Sequence, residues 1–271
     1  MFFFNAKRMG NKLINKYEGF IFDLDGTIYL GNKLIPNAEK VIEKIKQLNK
    51  KIIFITNKTT GSIKDYCTFL KEKGLNVTES EIVNSTLITK KYLNEKHFGE
   101  KFFAIGEQIF IDEIESAGLT YSRKPDEINI VLITLDRTLN YKKLEIAAKA
   151  LDNGARFYAA NIDDTCPVEG GEILDAGSTI SALEKRTHLK LEKHFGKPSK
   201  FMMDEIINKL NLLPEKCLLI GDRIETDIVM GNTFGIDTAL VSTGVFNHFD
   251  GNPKFIPTYK IKSVNELLTR G

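Results

Sequence analysis

Short apolar runs recur along the chain, each followed by a polar or acidic step and then by residues with helical spacing. The first, Gly19-Phe20-Ile21-Phe22, is aromatic and β-branched and reads as a buried strand. It ends abruptly in Asp23-Leu24-Asp25-Gly26-Thr27. Residues 28–35 then place a Gly31-Asn32 turn between short apolar pieces, the pattern of a small hairpin. Pro36-Asn37 opens a helix whose stripe is Val41, Ile42, Ile45 and Leu48, and residues 51–55 form the next buried strand. Strand, helix and strand at this spacing predict a right-handed βαβ unit with parallel strands. Ser62 with Asp65 resembles a capping box; Ile63, Tyr66, Cys67 and Leu70 share a helix face, and Gly74 after Lys71 and Lys73 stops the helix.

From about residue 81 to 189 the pattern reads as a separate α/β unit. Its strands are expected at 101–105, 129–135 and 156–160, with a helical stripe of Leu144, Ala147, Ala148 and Leu151 before the last. Cys217-Leu218-Leu219-Ile220 is a further buried strand, running into Gly221-Asp222-Arg223-Ile224-Glu225-Thr226-Asp227. Thr226-Asp227 reads as the cap of a helix reaching about Phe234. A strand over 237–241 and a short helix begun by Ser263 and Glu266 follow, while 247–259, with two prolines, carries no readable function. The expected fold is α/β: a doubly wound, Rossmann-like parallel-sheet core from residues 1–80 and 190–271, with an α/β domain, 81–189, inserted.

Composition narrows the class. Of 271 residues 42% are hydrophobic, enough for a sizeable core, and 38 Lys plus Arg against 36 Asp plus Glu leave a charge of +2. With no basic block, nucleic acid is not an expected partner. Cys67, Cys166 and Cys217 are far apart and odd in number, which points to a reducing, cytoplasmic setting without a disulfide framework. His97, His188, His194 and His248 lack zinc-ligand spacing. The opening Met1-Phe2-Phe3-Phe4 is too short for a signal peptide, and no 18-residue apolar run exists, so no membrane span is expected.

The chemistry sits where the strands end. In an extended segment Asp23 and Asp25 face the same side, and two neighbouring carboxylates need a cation to stay ionised together. Gly26 permits a tight turn and a close backbone approach to an anion. This is how a carboxylate nucleophile would be set beside a general acid over a hard metal ion. An EF-hand loop is excluded, because its twelfth position is Leu34 rather than Glu. Thr56-Asn57-Lys58 ends the second strand of the βαβ unit, where a hydroxyl and turn N–H groups suit a phosphate. Asp222 follows a third strand directly. Lys197, in Gly196-Lys197-Pro198, would ordinarily be a solvated side chain in so lysine-rich a chain. The polar cluster Asn161, Asp163, Asp164 and Thr165 follows a strand of the insert and reads equally as a solvated turn or a ligand-contact loop.

Asp23-Leu24-Asp25-Gly26-Thr27, Thr56-Asn57, Gly196-Lys197-Pro198 and Gly221 through Asp227 together resemble the motifs of the haloacid-dehalogenase-like phosphatases. The roughly 110-residue insert between the second and third motif is similar to the class IIA branch, which includes NagD-like enzymes, 4-nitrophenylphosphatases and phosphoglycolate phosphatases. Several segments, among them Ile105-Gly106-Glu107-Gln108, are nearest in wording to its arabinose-operon sugar-phosphate phosphatases. The resemblance runs from about Tyr17 to the C-terminus and departs at Lys58, where the group more often has a second Asn. It implies hydrolysis of phosphate monoesters, with Asp23 as nucleophile and Asp25 as general acid and then base. It implies Mg²⁺, replaceable by Mn²⁺ or Co²⁺, on Asp23, the Asp25 carbonyl and Asp222, with Asp227 holding its waters. Thr56, the N–H groups of Gly26, Asn57 and Lys58, and Lys197 would receive the phosphoryl group. The insert would be the cap, its Asn161, Asp163 and Asp164 contacting a small sugar phosphate or other small phosphate ester. A homodimer through that cap is the expected assembly.

Overall fold

The Gly19–Asp23 strand lies at the centre of a six-stranded sheet because none of its residues can be left in water: all five are buried. Phe20, Phe22 and Phe54 stack along this strand and its neighbour with ring centroids 6.2 and 6.1 Å apart, each fully buried. Each such ring contributes about 1.5–3 kcal/mol by leaving water. In the computed structural model, residues 10–168, 171–244 and 255–268 are described. The strand order is Tyr259–Ile261, Asp237–Val241, Cys217–Gly221, Gly19–Asp23, Lys51–Thr56, Ile82–Asn84. Gly19–Asp23 pairs in parallel with Cys217–Gly221 on one side (Phe22 opposite Ile220) and with Lys51–Thr56 on the other (Asp23 opposite Ile55). Sequence order reverses between those first two strands, so their carboxyl ends flank the topological switch point of the sheet.

A second sheet has five strands, all parallel, in the order Lys193–His194, Arg156–Ala159, Ile130–Ile133, Lys101–Ile105, Thr120–Tyr121. The helices Tyr141–Asp152 and Ala176–Thr187 pack on it through Ala147, Ala148, Leu151, Ile180 and Leu183 against Phe103, Val131, Ile133 and Phe157. Two compact units result: one from residues 1–56, 66–83 and 203–271, the other from 57–65 and 84–202. Residues 57–65 and 190–202, expected with the core, belong by their contacts to the inserted unit, which their hydrogen bonds with one another and with the insert explain.

Several local expectations change. Leu48 leaves the buried stripe of its helix and is 37% exposed, because the helix ends at Gln47 and Leu48 is its C-cap. The expected 129–135 strand is Ile130–Ile133; the Asn129 side chain instead accepts from the Lys101 N–H at 3.0 Å. Thr226 and Asp227 do not cap an α-helix. They lie inside a wide π turn, Ile224–Ile228, and the α-helix is only Val229–Thr233. The chain end forms a 3₁₀ turn, Val264–Leu268. A hairpin, Thr165–Val168 with Gly171–Leu174, and the edge strand Tyr259–Ile261 had no legible pattern. Met1 to Phe4 and most of 247–259 lie outside the described residues.

Candidate active site

Three carboxylates meet in the core unit. Asp23 closes the central strand, Asp222 follows the neighbouring strand directly, and Asp227 sits in the π turn, all three buried. One oxygen of each lies within 4.8 Å of the others. The extra residue of the π turn sets Asp227 facing back, where its Oδ2 accepts the Arg223 N–H at 3.1 Å. Backbone crowding fixes Asp222. A Cβ on Gly26 would stand 2.4 Å from Asp222 Oδ2, and one on Gly244 1.9 Å from it. Glycine is therefore required at both positions, and at Gly26 also by a φ of 80°. Carboxylate oxygens gathered this closely are a hard donor set of the kind that fits Mg²⁺.

Asp25 stands apart from this trio. It is partly exposed, and its Oδ2 accepts from the Tyr29 hydroxyl at 3.0 Å. Burial first, then the Asp25 charge, holds the Tyr29 phenol well above its ordinary range, so it remains a donor. The loop between them is tied by its backbone: the Gly26 N–H donates to Tyr29 O at 2.7 Å and the Tyr29 N–H to Leu24 O at 3.1 Å. Thr243 donates to Gly26 O at 2.5 Å. Thr56 is buried at the end of its strand.

The remaining expected residues form a second polar centre, wholly within the inserted unit. Asn57 is its hub. Its Nδ2 donates to Asp163 Oδ2 at 2.7 Å and to the Lys197 carbonyl at 3.1 Å, while its Oδ1 accepts from the Lys197 N–H at 2.7 Å and from Ser85 Oγ at 3.2 Å. One side-chain amide thus grips both backbone polar groups of Lys197. Gly196 lets it approach: a Cβ there would stand 2.6 Å from Asn57 Oδ1 and 2.5 Å from Ser85 Oγ. Lys197 is not the solvated side chain its abundance would predict; it is 3% exposed. The neighbouring His194 has its pKa lowered, chiefly by burial.

Asn161 is buried and committed. Its Nδ2 donates to Asp163 at 3.1 Å and to Asp175 at 3.0 Å, and its Oδ1 accepts from Thr134 at 3.0 Å. Asp163 accepts from both Asn57 and Asn161, whereas Asp164 is exposed. Lys58 is partly buried. Tyr29, Ser85, Thr134 and Asp175 were not legible as site residues. They are single polar residues in helix, strand or turn patterns, and only the spatial neighbour gives each one meaning.

Residues 20–120 match the model of the haloacid dehalogenase-like hydrolases, and residues 194–267 a HAD-hydrolase-like model. The chain is 33% identical over 249 residues to sugar-phosphatase AraL of Bacillus subtilis, covering 92% of this chain and 91% of that one. Among solved structures, a p-nitrophenyl phosphatase from Archaeoglobus fulgidus superposes with a TM-score of 0.84 at 31% identity, over 93% of this chain and 98% of the other. A glycerol phosphate phosphatase from Mycobacterium tuberculosis, in complex with magnesium, superposes with a TM-score of 0.83 at 28% identity, over 94% and 77%.

Proposed function

We propose that this chain, which belongs to the haloacid dehalogenase-like hydrolases, is a phosphomonoester hydrolase acting on small metabolites, sugar phosphates foremost. The observation that carries the proposal is the buried trio Asp23, Asp222 and Asp227 at the switch point of a parallel sheet, with Asp25 two residues beyond the first. In this reading an Asp23 oxygen attacks phosphorus, the ester P–O bond breaks, and Asp25 gives its proton to the departing oxygen. Asp25 then takes a proton from water, which attacks the aspartyl-phosphate and frees Asp23. Asp23, the Asp25 carbonyl and Asp222 would hold Mg²⁺, with Asp227 behind them. When bound, the ion offsets the negative charge that an anionic ester brings to these carboxylates. Thr56, the N–H groups of Asn57 and Lys58, and the Lys197 ammonium receive the phosphoryl oxygens; the Gly26 N–H, expected among these donors, is instead committed to Tyr29 O at 2.7 Å.

Three findings support this assignment: the names of the relatives, the donor chemistry of the trio, and the burial of Lys197, which a solvated role does not explain. We further assign the insert the role of cap. Its exposed Leu139, Tyr141, Val168 and Leu174 offer apolar surface to a second copy of the chain. The three free cysteines are buried, which fits a reducing cytoplasmic setting, and among the described residues no helix is long and apolar enough to cross a membrane.

The test is a panel of sugar monophosphates, phosphoglycolate and 4-nitrophenyl phosphate, run with Mg²⁺, with EDTA, and with Mg²⁺ restored. Turnover of at least one ester should vanish on chelation and return with the metal. Undiminished turnover by chelated protein, or none under any condition, would contradict the assignment.

A further inference from the structure

We propose that Tyr29 is a positioning residue for the general acid: its hydroxyl fixes the Asp25 carboxyl in the orientation that delivers the proton. The inference rests on the phosphatase reading above and names a residue that reading does not use.

Asp25 is the acid most in need of a support. The trio Asp23, Asp222 and Asp227 is buried, whereas Asp25 lies outside it and is partly exposed. Tyr29 supplies the support from a rigid seat. It is 4% exposed, its ring packs edge-on against Phe69 with centroids 5.0 Å apart, and it pairs with Leu34 in the small hairpin. Its backbone is bonded to the loop at both Gly26 and Leu24, so the phenol and the carboxyl are held by the same few residues. The hydroxyl donates to Oδ2 at 3.0 Å. When the carboxyl is protonated, an Oδ2 that accepts from Tyr29 is the carbonyl-type oxygen, and the transferable proton is on Oδ1. Tyr29 thereby selects which oxygen serves the leaving group. Positioning of this kind acts on rate, because a proton donor turned away from the breaking bond contributes little.

The consequence depends on the leaving group. As Asp23 takes the phosphoryl group, the electron pair of the P–O bond goes to the departing oxygen. An alkoxide must be protonated as it leaves; a 4-nitrophenolate is stable without a proton. The ratio kcat/KM reports steps up to phosphoryl transfer to Asp23, so it isolates this proton transfer from the later attack by water. Tyr29→Phe keeps the ring and its packing on Phe69 and removes only the hydroxyl. Its kcat/KM should fall about 10- to 100-fold on an alkyl ester (glycerol phosphate or a hexose phosphate), part of the 10²–10⁴ that general acid catalysis supplies. On 4-nitrophenyl phosphate the fall should be at least about tenfold smaller, because the general-acid contribution is dispensable there. Thermal unfolding of the variant, measured alongside, should stay within a few degrees of wild type. Equal losses on the two esters, or no loss on either, would overturn the role of Tyr29; equal losses with a lowered midpoint would make Tyr29 a purely structural residue. A wild-type protein inert on both esters would instead remove the phosphatase reading itself, and this inference with it.

Discussion

Lys197 shows how much a single residue's meaning depends on burial. A lysine that is 3% exposed has little contact with water, and a buried ammonium needs negative charge or strong acceptors around it. Its backbone is meanwhile gripped at both N–H and carbonyl by Asn57. In the proposed reading the Lys197 ammonium meets a phosphoryl group whose negative charge grows in the transition state. Lys197→Ala should therefore lower kcat/KM by about two to three orders of magnitude on every ester, the scale for removing one preorganised group. Steady-state kinetics on the purified variant decide it, and near-wild-type values would mean that the buried charge serves the fold alone. At this scale the sequence was only half legible. Asp23, Asp25 and Asp222 stand out because acids that end buried strands are conspicuous. Lys197 does not stand out by itself, since one lysine among many gives no local sign of burial, and only its place beside Gly196 and Pro198 in the motif order singled it out.

At the scale of elements, the loop following Arg156–Ala159 changes its role between sequence and structure. Asn161, Asp163 and Asp164 read from the sequence equally as a solvated turn or a loop that contacts the substrate. In the structure Asn161 is spent on Asp163, Asp175 and Thr134, and Asp163 on Asn57 and Asn161. The loop is also clamped by backbone to the start of the Ala176–Thr187 helix, through the Gly177 N–H on Asp163 O and the Asp175 N–H on Asp164 O. Asp163 thus acts as a buttress for Asn57, and through Asn57 for Lys197. Asp163→Ala should reduce kcat/KM for all esters by a similar factor of about 10, since it loosens the groups proposed to bind the phosphoryl group of every ester. It should also destabilise the protein by about 1–3 kcal/mol, because two amide donors lose their acceptor. Kinetics across the panel together with thermal or denaturant unfolding test both parts; a changed substrate ranking in this variant would show instead that the loop chooses among substrates. Periodicity could not have separated these cases, because a polar residue after a strand looks the same whether it faces a ligand or a neighbouring side chain.

Across the whole molecule, both parallel sheets were legible in outline, since long buried strands alternating with amphipathic helices allow few other arrangements. What escaped was short or nonlocal. Lys193–His194 and Tyr259–Ile261 are two and three residues long at sheet edges, too brief for any alternation to show. The π turn that aims Asp227 looked like an ordinary helix start, because Thr-Asp is a common cap. The attachment of 57–65 to the inserted unit depends on Asn57 and its distant partners, which chain order cannot display. In the proposed function the acids gathered at the switch point of the core sheet carry the chemistry, and Asp23 is the one assigned the covalent step. Replacing it isolates that claim, because asparagine keeps the size and polarity of the side chain and removes the nucleophilic oxygen pair. The deciding measurement is kcat of Asp23→Asn on 4-nitrophenyl phosphate with saturating Mg²⁺, beside a matched unfolding curve. The account predicts a fall of at least about 10³-fold in a protein that remains folded, the scale for loss of a nucleophile. Turnover close to wild type in that variant would contradict it.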